Sequence, residues 1–320
     1  EFRWVIVEPV AYYLIAAHYL RERRGRHVAA ASFLAGGAFV AVWALVSLLS
    51  GGGVQAEGVT RLAGPYPHPN GLALFIERPL VLAMVFVAGS QRGRAVVAPA
   101  AALSGVAIVL TFSRGALIAA ALAILAALLA LRRYRAALVG VAVAGAGAVV
   151  LFIGARDRLL SLFAGGSGSL RLSIWRSSVE MIRDRPIFGV GLDQFLYQYA
   201  PRYVEPVAWS ERFTSHPHNI ILDLWLRLGI MGLGVGAAYV VVFLVFVHRV
   251  VRERRALGIG AAAAILAGTL HGMVDNGYFL PDLAMTLWFL TALLHVEAAS
   301  VTSPASEPLG ERRRRTCGYS

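Results

Sequence analysis

What most constrains this chain is a recurrence: apolar runs of membrane length, interrupted again and again by short clusters of arginine. An apolar stretch of about eighteen residues or more reads as a membrane-crossing helix, since a helix satisfies its own backbone inside hydrocarbon. Such runs read at residues 4–20, 28–49, 71–88 and 95–112, then from a tight turn at Ser113-Arg114-Gly115 to 131, and at 136–153, 218–247, 256–274 and 283–296. The chain is 58% hydrophobic and only 15% charged, where a soluble domain has about a quarter of its residues charged. The fold class expected is all-α: a polytopic integral membrane protein with about nine transmembrane helices and one long outer loop.

The placement of the charge sets the orientation. Basic clusters fall at 21–26, 92–94, 132–135, 249–255 and 312–315, which are every second connection. Arginine-rich connections stay cytoplasmic, so residues 51–70, 113–115, 154–217 and 275–282 are expected outside. The net charge of +12 therefore belongs to membrane topology and not to nucleic acid. All thirty basic residues are Arg, which reads as genomic bias. The lone Cys317 excludes a disulfide framework or a cysteine metal site within the chain. The chain opens at Glu1 almost directly in an apolar run, so further helices are expected upstream of it.

Four regions follow: an N-terminal transmembrane region (1–153, about six helices), a large outer loop (154–217), a C-terminal transmembrane region (218–296, about three helices) and a basic cytoplasmic tail (297–320). Within the loop, Leu172, Trp175, Val179 and Ile182 recur at helical spacing among charged residues. This predicts an amphipathic helix on the membrane surface, ended by Pro186 and followed by a turn at 188–191. Gly189-Val-Gly191 is no nucleotide fingerprint, because no strand precedes it.

Chemistry concentrates where this loop meets the seventh apolar run. His216 and His218 lie there, and imidazole is the side chain that most readily takes and returns a proton near neutrality. Two interfacial histidines without chemistry are the plain alternative. Arg61, Arg114 and Arg171 lie on the outer side, which the positive-inside rule disfavours. A guanidinium near membrane depth suits a phosphate, which it grips with two N–H groups, or it snorkels to headgroups. Arg78 beside Glu77 reads as an intramembrane pair, and Asp223 with Arg227 as an i,i+4 pair. No metal-ligand spacing completes a site around the two histidines, despite Glu205 and Glu211 nearby.

At these residues the sequence resembles the O-antigen ligases and the related O-antigen polymerases. His218-Asn219, nine residues, Gly229, two residues and Gly232 looks like their signature. The Gly-Pro-Tyr-Pro-His-Pro-Asn run at 64–70, Ser113-Arg114-Gly115, Arg171 with Trp175, and the Pro-Ile-Phe-Gly-Val-Gly-Leu run at 186–192 resemble family segments in the same order. The family usually has about a dozen spans, and the missing ones belong at the N-terminus. The resemblance implies transfer of a glycan from a polyprenyl diphosphate to a hydroxyl of a glycan, lipid-linked or protein acceptor, outside the inner (plasma) membrane. It implies His218 as base, Arg114, Arg171 and Arg61 as diphosphate ligands, and His216, Asn219, Asn70 and Arg176 in support. Inversion, no cofactor and no metal are expected. A polymerase or a protein O-oligosaccharyltransferase is the alternative within the family. A lipid or glycan transporter using Glu77, Arg78, Asp223 and Arg227, or a non-catalytic envelope scaffold, is the alternative outside it.

Overall fold

The computed structural model describes residues 1–56, 58–90, 93–140, 142 and 167–300. A π-helical turn, Arg3–Val7, leads into α1 (Glu8–Tyr19) and α2 (Arg23–Leu49). A hairpin of β1 (Val54–Ala56) and β2 (Val59–Arg61) precedes α3 (Pro69–Gly89), α4 (Arg94–Leu110) and α5 (Arg114–Ala130). After the undescribed stretch come α6 (Ser167–Asp184), α7 (Phe195–Arg202), a 3-10 turn at Pro206–Glu211, α8 (Ile220–Arg252), α9 (Ala256–Gly272) and α10 (Pro281–Ala299).

The all-α architecture stands, with one short hairpin added. Helices α2, α3, α8 and α10 are long and apolar enough to cross a membrane, and α4, α5 and α9 are shorter apolar helices. Beyond that the expected nine spans are not established. The run at 136–153 is helical at 134–140 and 142 and otherwise lies outside the described residues, as do 154–166 and the tail residues 301–320. The tail expected from 297 begins later, because α10 runs to Ala299 with Glu297 buried.

The bundle is built around α9, which packs against α3, α5, α8 and α10. Its sequence, rich in Ala and Gly, lets neighbouring backbones approach closely, which is how helices associate where lipid removes the hydrophobic drive. Large apolar side chains face outward elsewhere: Phe39, Trp43 and Val46 on α2, and Val235, Val241 and Leu244 on α8. An apolar outer surface of this kind fits lipid. At the end of the bundle carrying the start of α2, Arg26 and Arg255 both pair with Glu297 at 3.0 Å.

Three local readings are corrected. Ser113-Arg114-Gly115 is no loop: the turn is at 111–113, with Phe112 at φ 51, and Arg114 and Gly115 open α5. The buried face of α6 is Ser173, Ile174, Ser177, Ser178, Met181 and Ile182, while Leu172 and Val179 are exposed. Its apolar part packs on Phe195, Tyr199 and Leu226 of the same chain. The serines hid this stripe from a hydropathy reading; the hydroxyls of Ser177 and Ser178 donate to the carbonyls of Tyr203 and Ile174 at 2.6 and 2.7 Å. Glu77 and Arg78 do not pair with each other among the described residues. Glu77 meets His271, and Arg78 donates to the carbonyls of Leu74 and Gly277. The Asp223–Arg227 pair forms as expected, at 2.7 Å.

Two glycines of the family-like segments meet each other's backbone. Gly229 interrupts α8 at φ 66, ψ −159, a region essentially reserved for glycine. A Cβ there would collide with the Ile187 carbonyl, and one at Gly189 with the Leu226 carbonyl. Across the break, Ile230 N donates to Ile187 O (3.0 Å), and Val190 N to Leu226 O (2.6 Å). The 186–191 turn is thus docked into the broken helix, fixing α6 relative to the start of α8.

Candidate functional site

Segments expected on the outer side converge on one cavity of about 250 Å³. Arg61, Asn70, Arg114, Arg171 and His218 all line it. Five groups from four separate segments of the sequence are therefore neighbours in space.

Each is carried by a distinct device. The hairpin brings in Arg61: Leu62 N donates to Leu110 O at 2.9 Å, and Arg61 Nε to Thr111 O at 2.7 Å. Asn70 lies in the first turn of α3, which is capped by His68 accepting from Asn70 N at 3.1 Å. Arg114 is the first residue of α5 and is exposed. Its position adds a helix N-terminus, which carries partial positive charge, to the same wall. Arg171 projects from α6.

His218 does not begin its helix, as the sequence reading had it. It precedes Asn219, in the left-handed region at φ 52, uncommon for a residue with a side chain. Asn219 is the cap, accepting from Ile221 N and Leu222 N at 3.0 and 3.1 Å and donating to Met273 O at 3.0 Å. His216 lies against His218, with ring centroids 4.3 Å apart. Ser215, beside it, is held by Arg227, which donates to the Ser215 carbonyl at 3.1 Å. Arg176 is exposed and is not among the residues lining the cavity.

The group that organises this cluster is Asp275, to which the sequence reading gave no role. Its Oδ1 accepts from Asn276 N at 2.8 Å and His218 Nδ1 at 3.3 Å, with His216 Nε2 at 3.7 Å. Its Oδ2 accepts from Asn70 Nδ2 at 2.7 Å and Arg171 at 3.4 Å. Burial opposes its charge, but the neighbouring imidazoles of His216 and His218 outweigh burial and hold the carboxyl well below the usual carboxylate range. Burial lowers the His218 pKa, the hydrogen bond to Asp275 raises it, and His216 and Arg171 lower it; the net shift is downward. His68, also at the cavity, is lowered first by burial.

These facts fix the tautomer by inference. An ionised carboxylate only accepts, so His218 Nδ1 carries the proton and Nε2 the lone pair. Thr214 Oγ1 lies 3.3 Å from Nε2, but that hydroxyl donates to the His216 carbonyl at 3.1 Å. The Nε2 lone pair is left to accept a proton.

His216, His218 and Asp275 are also the one group of three among the described residues whose ligand atoms lie within 4.8 Å of one another. Sequence spacing missed this set because Asp275 comes from another loop. A cation here would compete with the donors already on Asp275, among them the Arg171 guanidinium.

Two further histidines, His271 and His68, line the cavity. The first lies inside an apolar run and the second in a proline-rich one, so neither pattern signals chemistry. Asp275 had one weak signal, an acid in a short outer loop between apolar runs.

The fold and this cavity define a multi-pass helical membrane protein with an arginine- and histidine-lined site at one end of its bundle. Residues 99–235 match a family model described as O-antigen ligase. The matched segment contains Arg114, Arg171, His216, His218, Gly229 and Gly232, and stops short of Arg61, Asn70 and Asp275 on either side. The match points to a glycosyltransferase-like enzyme working on glycan at a membrane. No curated protein matches the chain.

Proposed function

We propose that the protein transfers a glycan from a polyprenyl diphosphate to an acceptor hydroxyl at the periplasmic or extracellular face of the inner (plasma) membrane. The observation that carries the reading is the shared cavity: three arginines and the Asp275-held His218 border one space. In the reaction the acceptor oxygen bonds to the anomeric carbon from the face opposite the diphosphate. The anomeric carbon–oxygen bond breaks, and the diphosphate leaves with its electron pair. Arg61, Arg114 and Arg171 stabilise the charge that builds there, an interaction strongest in a site shielded from water. His218 Nε2 takes the acceptor proton, and Asp275 stabilises the imidazolium formed. One displacement inverts the anomeric centre. No metal is needed, because the guanidiniums supply the positive charge.

Residues 1–153 and 218–296 form the membrane scaffold in this reading, and 154–217 the outer loop, from which Arg171 reaches the cavity. The outward placement rests on the alternating arginine clusters. Ligase, polymerase and protein O-oligosaccharyltransferase share this chemistry and differ in the acceptor.

The test is transfer by purified protein from a polyprenyl-diphosphate glycan to lipid-linked core sugar, free glycan and protein acceptors offered separately, with and without chelator. Chelator is expected to leave transfer intact. His218→Ala should lower turnover about a hundredfold or more, the range for loss of a general base, and His216→Ala by much less. Arg114→Lys should lose most activity despite keeping its charge, since the two-pronged geometry is gone. Normal transfer by His218→Ala, or dependence on an added divalent cation, overturns the assignment.

A further inference from the structure

Beneath the cavity lies a buried chain of three polar groups. Glu77 on α3 is 0% exposed, His271 on α9 1% and Ser113 at the start of α5 3%. His271 Nδ1 lies 2.9 Å from Glu77 Oε2, and His271 Nε2 lies 3.4 Å from Ser113 Oγ. The second carboxylate oxygen, Glu77 Oε1, has no hydrogen-bond partner among the described residues. The imidazole lies directly on the α5 backbone: a Cβ at Gly115 would come within 2.9 Å of His271 Cδ2.

What sets this chain apart is the bond that Ser113 does not make. It occupies the N-cap position of α5 with extended backbone, yet its side chain caps nothing. A serine there ordinarily accepts a hydrogen bond from an N–H of the first turn. Two other helices that start beside the cavity are capped by side chains, α3 by His68 and α8 by Asn219. With the Nδ1 proton given to Glu77, His271 Nε2 is an acceptor, so the Ser113 hydroxyl turns its proton toward His271 and away from its helix.

We propose that Glu77 and His271 are positioning residues of the donor site. By holding Ser113 back from its own helix they keep the N-terminus of α5, beside Arg114, open to a phosphate oxygen in the cavity. Arg114 and Gly115 line that cavity, and a helix N-terminus left uncapped by its serine offers N–H groups and a positive partial charge to an anion. The inference rests on the diphosphate reading above and adds the device that keeps one of its walls receptive.

The experiment is titration calorimetry of the purified full chain with inorganic pyrophosphate. His271→Met, close in volume, frees Ser113 to cap α5. Binding is expected to weaken about tenfold, near the upper range of a helix-terminus interaction. Adding Ser113→Ala removes the new cap, and the double variant His271→Met/Ser113→Ala is expected to recover binding to within about twofold of the starting protein. Recovery on adding a second lesion is a result that mere loss of packing does not give. Unweakened binding by His271→Met, or a double variant as weak as the single one, overturns the inference. If the unaltered protein does not bind pyrophosphate, or Arg114→Gln leaves its binding unchanged, the diphosphate reading fails and takes this inference with it.

Discussion

Asp275→Asn is the sharpest perturbation the site offers, because the substitution keeps shape and changes only charge and one acceptor. The close hydrogen-bond partners of the carboxylate are all donors: Asn276 N, His218 Nδ1, Asn70 Nδ2 and Arg171. An asparagine must point its NH2 at two of them whichever way it is turned. Turned toward His218, it forces the ring to the other tautomer, with Nδ1 accepting and Nε2 protonated, and the proposed base is lost. Turned toward Asn70, it makes that amide flip away from the Arg61 contact, and Arg171 loses its counter-charge. Either way about two hydrogen bonds are lost, at least one charge-assisted, costing about 2–4 kcal/mol of stability. Turnover should fall about a hundredfold to ten-thousandfold, the span attributed to general-base catalysis. Glycan transfer at matched expression and a thermal unfolding midpoint in the same detergent measure the two effects. If Asp275→Asn transfers within about tenfold of the starting protein while His218→Ala has lost its activity, the Asp275–His218 link is not what prepares the base.

The pH dependence follows from the same cluster. His218 works when neutral and its pKa is shifted down, so kcat/KM should hold as pH falls to its ordinary value of about 6.5 and decline only below that. Arg171 lowers that pKa, so Arg171→Gln should move the acid limb to higher pH as well as weaken donor binding. A limb that stays put or moves down would contradict the arrangement. Gly229→Ala should cost about 2–6 kcal/mol, combining a conformation closed to side chains with a clash at the Ile187 carbonyl. Gly234→Ala on the same helix, with open space at its Cβ, should be nearly neutral, and the difference between the two unfolding midpoints is the measurement.

Much of the fold was legible because hydrocarbon leaves a chain few options. The described apolar runs became helices close to where they were read, the larger differences being an earlier start of α2, at Arg23, and a later end of α8, at Arg252. Both extensions run into arginine clusters, whose long apolar stems let a helix continue past the hydrocarbon. Local geometry was less legible where polar groups satisfy one another. The hairpin that carries Arg61 sits in a segment whose composition, rich in Gly and Pro, says only connection. Nothing in the spacing of His216 and His218 reveals that the left-handed turn at His218 aims the ring at an aspartate 57 residues later. The cavity arginines were legible for a different reason. A cation expected on the side of the membrane where cations are disfavoured needs a cause, and Arg61, Arg114 and Arg171 share one space. Arg176 lacked that constraint, since an exposed face of an amphipathic helix accepts an arginine freely.

The charges around the cavity bear on the proposed diphosphate donor. Among the lining residues three are arginines and one, Glu211, is a carboxylate. Asp275 adds a second negative charge just behind the wall, but it is already shared among His218, Asn70 and Arg171. Arg61 donates to two neutral oxygens, Thr111 O and Asn70 Oδ1, which fix the direction of its guanidinium. Among the residues that line the cavity, three guanidiniums against one carboxylate give an excess of positive charge, facing a space where charges interact more strongly than in water. A divalent cation entering it meets that repulsion and must also displace N–H donors from Asp275. A diphosphate meets guanidiniums of which Arg61 and Arg171 are already held by hydrogen bonds, so little reorganisation is needed when charge develops on the leaving oxygen. Burial is what chiefly keeps the His218 pKa down, and Arg171 adds to it, so one of the groups that would favour an anionic donor also helps to keep the proposed base neutral.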